Sequence, residues 1–283
     1  MFEHLKSLPQ DPILGLLQLF RNDSRPEKID LGVGVYKDAQ GNTPVMNAVK
    51  LAEQRLLEQE DTKAYIGPAG AAGFGRAMAG LLLGDSNPLI DSGRLTIAQT
   101  PGGCGALRMA AEFLKLCSAD TTVWVSNPTW GNHIPLLGGA GLNIKQYSYY
   151  SKETHGVDFD AMMEDLQQAK AGDVVLLHGC CHNPSGADLN IEQWQAVTNL
   201  LVDKGLLPFV DIAYQGLGLG LDKDAAGLRL LAEQVPELII AASCSKNFGL
   251  YRERTGALMV LSANEAQAAN GASQLFSAIR GHY

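Results

Sequence analysis

The sequence predicts an α/β protein with three layers, in which helices cover both faces of a mostly parallel sheet. Short runs rich in Val, Ile and Leu alternate with stretches of helical periodicity over most of the chain. The runs VVLL at 174–177 and LIIAA at 238–242 are apolar throughout and do not alternate with polar residues. Such uninterrupted strands are typical of parallel sheets that are buried on both faces.

The predicted elements follow one another in a regular order. The first helix is expected to begin at Pro12, with Asp11 as its N-cap, and to end at Phe20. Residues 21–43 are polar and irregular, and a second helical stripe begins after Pro44. Strands are predicted at 94–99, 122–125, 142–148, 174–178, 207–212, 238–242 and 257–261, with helices after the first strand and at 159–170, 191–204 and 228–235.

Composition and charge exclude several classes of protein. The chain has 283 residues, of which 46% are hydrophobic and 18% are charged, so it is neither disordered nor collagen-like. Its net charge of -8 makes nucleic acid and anionic membranes poor partners. No apolar run approaches the roughly 18 residues that cross a bilayer, and the N-terminus lacks the features of a signal peptide. The five cysteines form no CxxC pair, which favours a reduced, cytoplasmic location, and no metal site is predicted.

Five of the seven predicted strands end in a turn rich in Gly, Ser or Asn. The turns are TPGGCGAL, SNPTWGNH, GCCHNPSG, AYQGLGLG and SCSKNFGLYRER. Ligands of open α/β sheets bind outside the carboxyl ends of the strands. Ordinary connections between strands and helices also need Gly and Asn. Five such turns, holding most of the unusual residues of the chain, favour a binding site.

Three features of these turns have both a chemical and a purely structural interpretation. The glycines around Gly103 can direct backbone N–H groups at an anion, although a glycine turn without a ligand is at least as common. Trp130 can stack on a flat ligand, but half-buried packing is the commoner role of such a residue. Asp211 ends an apolar strand, where it can meet a cationic ligand or serve as a cap or ion-pair partner.

Lys246 gives the strongest single indication of chemistry. It follows a strand of the buried type, and Arg252 and Arg254 come shortly after it. Burial and neighbouring cations both lower the pKa of an amine and make it nucleophilic. A lysine that can form an imine, with an arginine for a phosphate group, fits a pyridoxal phosphate site. If the segment stood alone, a solvated loop lysine would be its default interpretation.

Together the motifs resemble those of a known family. The segments IDLGVGVY, AYIGPAG, TPGGCGALR, NPTWGNH, CCHNPSG, FVDIAYQGLG and SCSKNFGLYRER are similar to those of aspartate and aromatic-amino-acid aminotransferases, in the same order from Asp11 to Tyr283. The resemblance implies a pyridoxal-phosphate-dependent transferase of fold type I that forms a homodimer with shared active sites. It also implies an N-terminal arm at 1–14, part of a small domain at 15–45 and a large cofactor-binding domain at 46–283.

The resemblance also implies roles for individual residues. Lys246 would bond to pyridoxal 5'-phosphate and move the catalytic proton, while Asp211 would pair with the pyridine nitrogen. The other cofactor contacts would come from Gly103, Cys104, Trp130, Asn183, Tyr214, Ser243 and Arg254, with Tyr65 reaching the cofactor of the neighbouring subunit. Substrate would meet Gly34, Trp130, Asn183 and, across the dimer, Arg280, whereas His133 and His178 would lie beside or behind Asp211.

Two departures from the family pattern accompany the resemblance. Cys104 stands where the family usually has Thr or Ser, so one side-chain hydrogen bond to phosphate is expected to be lost. The sequence ends shortly after Arg280, before the part of the family that carries the arginine for the α-carboxylate. The chain therefore resembles a member that is truncated at its C-terminus.

The predicted function is transamination between an L-amino acid, aspartate or aromatic, and 2-oxoglutarate, with the cofactor alternating between pyridoxal and pyridoxamine phosphate. A decarboxylase or lyase on the same scaffold is a second interpretation, against which Arg280 and the nearly complete motif set argue. A third is a non-catalytic truncated fragment that retains cofactor binding or dimerisation.

Overall fold

The computed structural model describes residues 2–7, 12–30, 32 and 34–283, without the side chains of residues 12–14. Asp11, the predicted N-cap, lies outside the described residues. The chain divides into two units, Met1–Val45 and Met46–Tyr283. In the first unit a short 3-10 helix spans Phe2–His4, and helix α1 spans Pro12–Asn22, two residues longer than predicted.

The second unit is built on a sheet of seven strands. They are β1 (Leu95–Pro101), β2 (Thr122–Asn127), β3 (Asn143–Ser148), β6 (Val174–His178), β7 (Leu207–Ile212), β8 (Leu238–Ser243) and β9 (Thr255–Leu261). A separate two-stranded hairpin, absent from the prediction, joins β4 (Tyr150–Ser151) to β5 (Gly156–Val157). Each of the seven predicted strands is present, with ends within two residues of the predicted ones.

The strand order in the large sheet is β1-β9-β8-β7-β6-β2-β3. The pairs from β8 to β3 are all parallel. Strand β9 runs antiparallel to both β1 and β8. The sheet is therefore mostly parallel, as predicted, and the carboxyl ends of β2, β6, β7 and β8 meet at one edge.

Nine helices of the described part of this unit connect or flank the strands. They are α2 (Asn47–Gln59), α3 (Ala72–Leu83), α4 (Gly102–Cys117), α5 (His133–Gly139), α6 (Phe159–Leu166), α7 (Ile191–Lys204), α8 (Leu221–Asp224), α9 (Ala226–Gln234) and α10 (Glu265–Arg280). Helix α6 ends four residues before its predicted end. Helix α7 has the predicted bounds because a capping box of Asn190 and Gln193 starts it and the left-handed Gly205 ends it.

Two hydrophobic clusters cover the two faces of the sheet. Val175, Leu177 and Val210 pack with α3, α6, α7 and α9. Val174, Leu176 and Phe209 pack on the other face with α4, α5 and α10. Adjacent strand residues enter opposite clusters, which explains why these strands are apolar without alternation and confirms the three predicted layers. Among the described residues, every helix is too short or too polar to cross a lipid bilayer.

Candidate active site

A cleft of about 180 Å³ lies at the carboxyl edge of the sheet, beside the first turn of α4. Turns that follow β2, β6, β7 and β8 all reach it. Its lining residues are Gly103, Cys104, Leu107, Trp130, His178, Cys180, Asn183, Asp211, Ala213, Tyr214, Ser243, Ser245, Lys246 and Arg254. Ten of these are residues that the sequence singled out, so segments up to 151 positions apart in the chain converge on one cavity.

Asp211 is held in place by a chain of hydrogen bonds. His133, which is fully buried, places Nε2 2.9 Å from Oδ2 of Asp211. The other ring nitrogen, Nδ1, lies 2.8 Å from Oγ1 of Thr129, which in turn lies 3.2 Å from Nε2 of His178. His178 on β6 is also directly opposite Asp211 on β7. The carboxylate therefore has a fixed orientation at the edge of the cleft.

His182 extends this network, and the sequence analysis did not single it out. Its Nε2 lies 2.9 Å from the Ser126 hydroxyl and its Nδ1 2.8 Å from the Ser185 hydroxyl. The ring lies between those of Tyr149 and His178, at centroid distances of 4.0 and 4.1 Å. The motif CCHNPSG contained the residue, but a single histidine in a turn carries no signal for burial.

Burial keeps two rings of this network uncharged at neutral pH. Desolvation, with His133 nearby, lowers the pKa of His182 to about 4. Desolvation is also the main reason that the pKa of His178 lies well below its ordinary value, and the neighbouring His182 and His133 lower it further. A neutral imidazole both donates and accepts without adding a charge next to Asp211. His182 connects the hydroxyls of Ser126 and Ser185, whereas Nδ1 of His178 accepts the backbone N–H of Asn183 at 3.4 Å.

Lys246 lies in the turn after β8 and faces an aromatic ring. Its Nζ is 5.0 Å from the centre of the Tyr214 ring. Burial lowers the pKa of this amine, Arg254 lowers it further, and Asp211 and Cys104 act in the opposite direction. The net shift favours the free amine, the form that attacks a carbonyl carbon. Nδ2 of Asn183 donates a long hydrogen bond of 3.4 Å to the Tyr214 hydroxyl.

The first turn of α4, Ser243 and Arg254 form a cradle suited to an anion. A Cβ added at Gly103 would lie 3.1 Å from Cβ of Ser243, and one at Gly102, where φ is +71°, would lie 3.0 Å from a guanidinium nitrogen of Arg254. The two glycines thus permit the helix N-terminus to approach both side chains. Backbone N–H groups at a helix start, with a hydroxyl and a guanidinium beside them, match the oxygens of a phosphate.

Comparison with known proteins identifies the family. Residues 26–282 match the family model described as aminotransferase class I and II. This chain belongs to that family. It is 53% identical over 283 residues to aspartate aminotransferase of Escherichia coli strain K12, covering all of this chain and 72% of that protein. It is 53% identical over 266 residues to the aromatic-amino-acid aminotransferase of Paracoccus denitrificans, covering 94% of this chain and 67% of that one.

Solved aminotransferases share its fold. An aromatic amino acid aminotransferase with 3-indolebutyric acid superimposes with a TM-score of 0.96 at 50% identity, over all of this chain and 71% of that one. The aromatic-amino-acid aminotransferase from Burkholderia pseudomallei, covalently bound to pyridoxal phosphate, gives a TM-score of 0.97 at 42% identity, with the same coverage. This chain is therefore an aminotransferase with the fold type predicted from its sequence.

Four residues singled out in the sequence do not line the cleft of this aminotransferase. His133 lies behind it, bonded to Asp211. Tyr65 is fully exposed, with a relative accessibility of 107%, and Arg280 is exposed at the end of α10. Gly34 is exposed in the first unit. The structure places His133 next to the site and leaves Tyr65 and Arg280 on the surface of the second unit.

Proposed function

We propose that this aminotransferase uses pyridoxal 5'-phosphate to transfer the amino group of an L-amino acid, aspartate or aromatic, to 2-oxoglutarate. The observation that carries the proposal is that one cleft is lined by a lysine whose pKa burial lowers, a fixed carboxylate and an anion cradle. These three groups match the aldehyde, the pyridine nitrogen and the phosphate of the cofactor. The glycines that bring the cradle together support the fit, because a Cβ at either would contact its side chains.

When bound, pyridoxal phosphate supplies an electron sink for the bonds at the substrate Cα. The residues of the chain position it and move protons. Lys246 Nζ would bond to the aldehyde carbon with loss of water and, once the substrate amine has displaced it, would take up and return the Cα proton. Asp211, oriented by His133, would hold a proton on the pyridine nitrogen. Trp130, which lines the cleft, would stack on the ring, and Arg254 and Ser243 would bind the phosphate.

The lysine assignment has a direct chemical test. Reduction of the cofactor-loaded protein with borohydride, followed by digestion, is expected to leave the pyridoxyl label on the peptide that contains Lys246. Lys246→Ala should lose the label and the oxo acid formed from aspartate, whereas Lys223→Ala, at an exposed lysine on α8, should keep both. A label on another lysine, or oxo acid formation by Lys246→Ala, would contradict the assignment.

We also propose that two copies of the chain form a homodimer with shared sites. Helix α2 buries none of its residues, and its apolar side chains Leu51 and Leu56 are 57% and 60% exposed. An apolar helix face of this kind is suited to a partner. Tyr65 follows α2 and is exposed, so it is free to reach a neighbouring cleft. The cytoplasmic location remains a prediction.

Mixing two inactive chains tests the shared sites. A hybrid of a Lys246→Ala chain and a Tyr65→Phe chain contains one cleft with both native residues if Tyr65 serves the neighbour. We expect hybrid dimers to regain part of the wild-type rate with aspartate and 2-oxoglutarate. Hybrids that form and regain nothing would show that each chain supplies its own Tyr65.

A further inference from the structure

A second group of reactive side chains lies behind the cleft. Sγ of Cys180, Sγ of Cys181 and a carboxylate oxygen of Asp224 lie within 4.8 Å of one another, the only such group of potential metal ligands among the described residues. Cys180 and Asp224 are each 6% exposed, and Cys181 is half-buried. Cys180 also lines the cleft, so the group can be reached from that side.

The backbone directs two consecutive cysteine side chains to the same place. Consecutive residues of an extended chain point to opposite sides. Cys181 has φ of +49°, in the left-handed region that few residues other than Gly adopt. Asp188 stabilises this turn, since its carboxylate accepts the N–H groups of Cys181 at 2.7 Å and His182 at 2.8 Å. The turn therefore presents both thiols to Asp224.

Asp224 keeps an acceptor position free on the side of the thiols. Its Oδ2 accepts the N–H groups of Gly216 and Gly218, and its Oδ1 accepts that of Leu219. A carboxylate has about four lone-pair positions, so one remains on Oδ1. A Cβ added at Gly218 would lie 2.8 Å from this Oδ1 and 3.1 Å from Sγ of Cys181. The two donor atoms thus converge beside Gly218.

We propose that Cys180, Cys181 and Asp224 bind one thiophilic divalent cation of the zinc and cadmium class. Zinc bonds of roughly 2.3 Å to sulfur and 2.0–2.2 Å to oxygen, at tetrahedral angles, place such ligands about 3.5–3.8 Å apart. The ligand atoms lie within 4.8 Å of one another, so each pair has to approach by at most about 1.3 Å. A water molecule would complete the four ligands of such an ion.

Charge favours the ion once the thiols ionise. On binding, each thiol releases its proton to solvent and its sulfur becomes a ligand, with no change of oxidation state. The carboxylates of Asp188 and Asp224 lie close to the two thiols and attract a cation at this place.

Cadmium titration of the reduced protein tests this site. The ultraviolet charge-transfer band of cadmium thiolate reports coordination, and equilibrium dialysis gives the stoichiometry. A count of five free thiols in the denatured protein establishes that the sample is reduced. We expect one tightly bound ion per chain. Cys117→Ser, at an exposed cysteine, is the matched control and should bind it as the wild type does.

Variants of the ligands decide the proposal. Substitution of a residue that supports a metal ligand weakens metal binding roughly 10- to 100-fold. Cys180→Ser and Cys181→Ser each remove a ligand, so each should weaken cadmium binding by more than this and should weaken the charge-transfer band. Gly218→Ala keeps all three ligands but fills the space between two of them, and it should also weaken binding. Circular dichroism verifies that each variant is folded. Unchanged binding in both cysteine variants, or equal loss in Cys117→Ser, would overturn the proposal.

Discussion

The buried state of His182 makes a quantitative prediction about stability in acid. We expect His182→Gln to make the free energy of unfolding less dependent on pH between about pH 6.5 and pH 4. Glutamine can still reach the Ser126 hydroxyl but does not titrate in this range. The variant loses the stacking with Tyr149 and His178, so it is expected to be less stable than the wild type at pH 8.

The sign and size of the effect follow from the lowered pKa. The folded chain holds His182 neutral down to about pH 4, whereas the unfolded chain protonates it near pH 6.5. The contribution of the neutral His182 to the free energy of unfolding is therefore fully present above pH 6.5 and is lost as the pH falls towards 4. Each pH unit below 6.5 lowers the free energy of unfolding by about 1.4 kcal/mol, so the loss at pH 5 is about 2 kcal/mol. His182→Gln should not lose this free energy of unfolding, because glutamine does not titrate.

Urea unfolding at a series of pH values from 8 to about 5, at fixed cofactor concentration, measures how the free energy of unfolding changes with pH. On unfolding near pH 5, the wild type should take up about one proton more than His182→Gln does. Thr198→Val is the matched control, because it removes a buried hydrogen bond of 2.8 Å to the Trp194 carbonyl without removing a titrating group. Equal slopes in the wild type and His182→Gln would refute the assignment of a neutral buried ring.

Three further outcomes are expected. Gly256→Ala should cost at least about 3 kcal/mol by thermal or urea unfolding, because its Cβ would lie 2.5 Å from the Ala242 carbonyl oxygen and 2.6 Å from the Gly102 carbonyl carbon. Cys104→Ser, which adds a hydroxyl donor at the anion cradle, should tighten pyridoxal phosphate binding about tenfold in a fluorescence titration, whereas Cys104→Ala should not. Asp211→Asn should retain the cofactor but slow exchange of the Cα deuterium of aspartate by orders of magnitude, and exchange at the wild-type rate would show that Asp211 does not act on the pyridine ring.

The strands were predictable from the sequence, but the direction of β9 was not. Its apolar pattern is the same whichever way it runs, and only its partners β1 and β8 decide the orientation. The connection from Cys244 to Arg254 did contain a signal, since 11 residues are short for a crossover between parallel strands. Helices α3 and α10 were missed because Gly, Ala and Ser weaken their apolar periodicity.

The residues of the cleft were predictable because the turns after parallel strands meet at one edge. His182 was not, because its burial depends on Tyr149, a residue that adjoins it only in the folded chain. The convergence of Asp224 on the two cysteines was hidden for the same reason, since more than 40 residues separate them. Sequence pattern locates an edge of the sheet, but side-chain clusters formed by distant segments need the structure.

The position of β9 has a consequence for the order in which the chain folds during synthesis. Strands β6, β7 and β8 pair with the strand that precedes or follows them, so they can associate soon after leaving the ribosome. Strand β1 lies at the edge of the sheet and pairs only with β9, which begins about 150 residues later, so β1 cannot join the sheet until β9 has been synthesised. At roughly 5–20 residues per second this delay is on the order of 10 s. The anion cradle directly follows β1, so capture of a phosphorylated cofactor would follow the synthesis of β9.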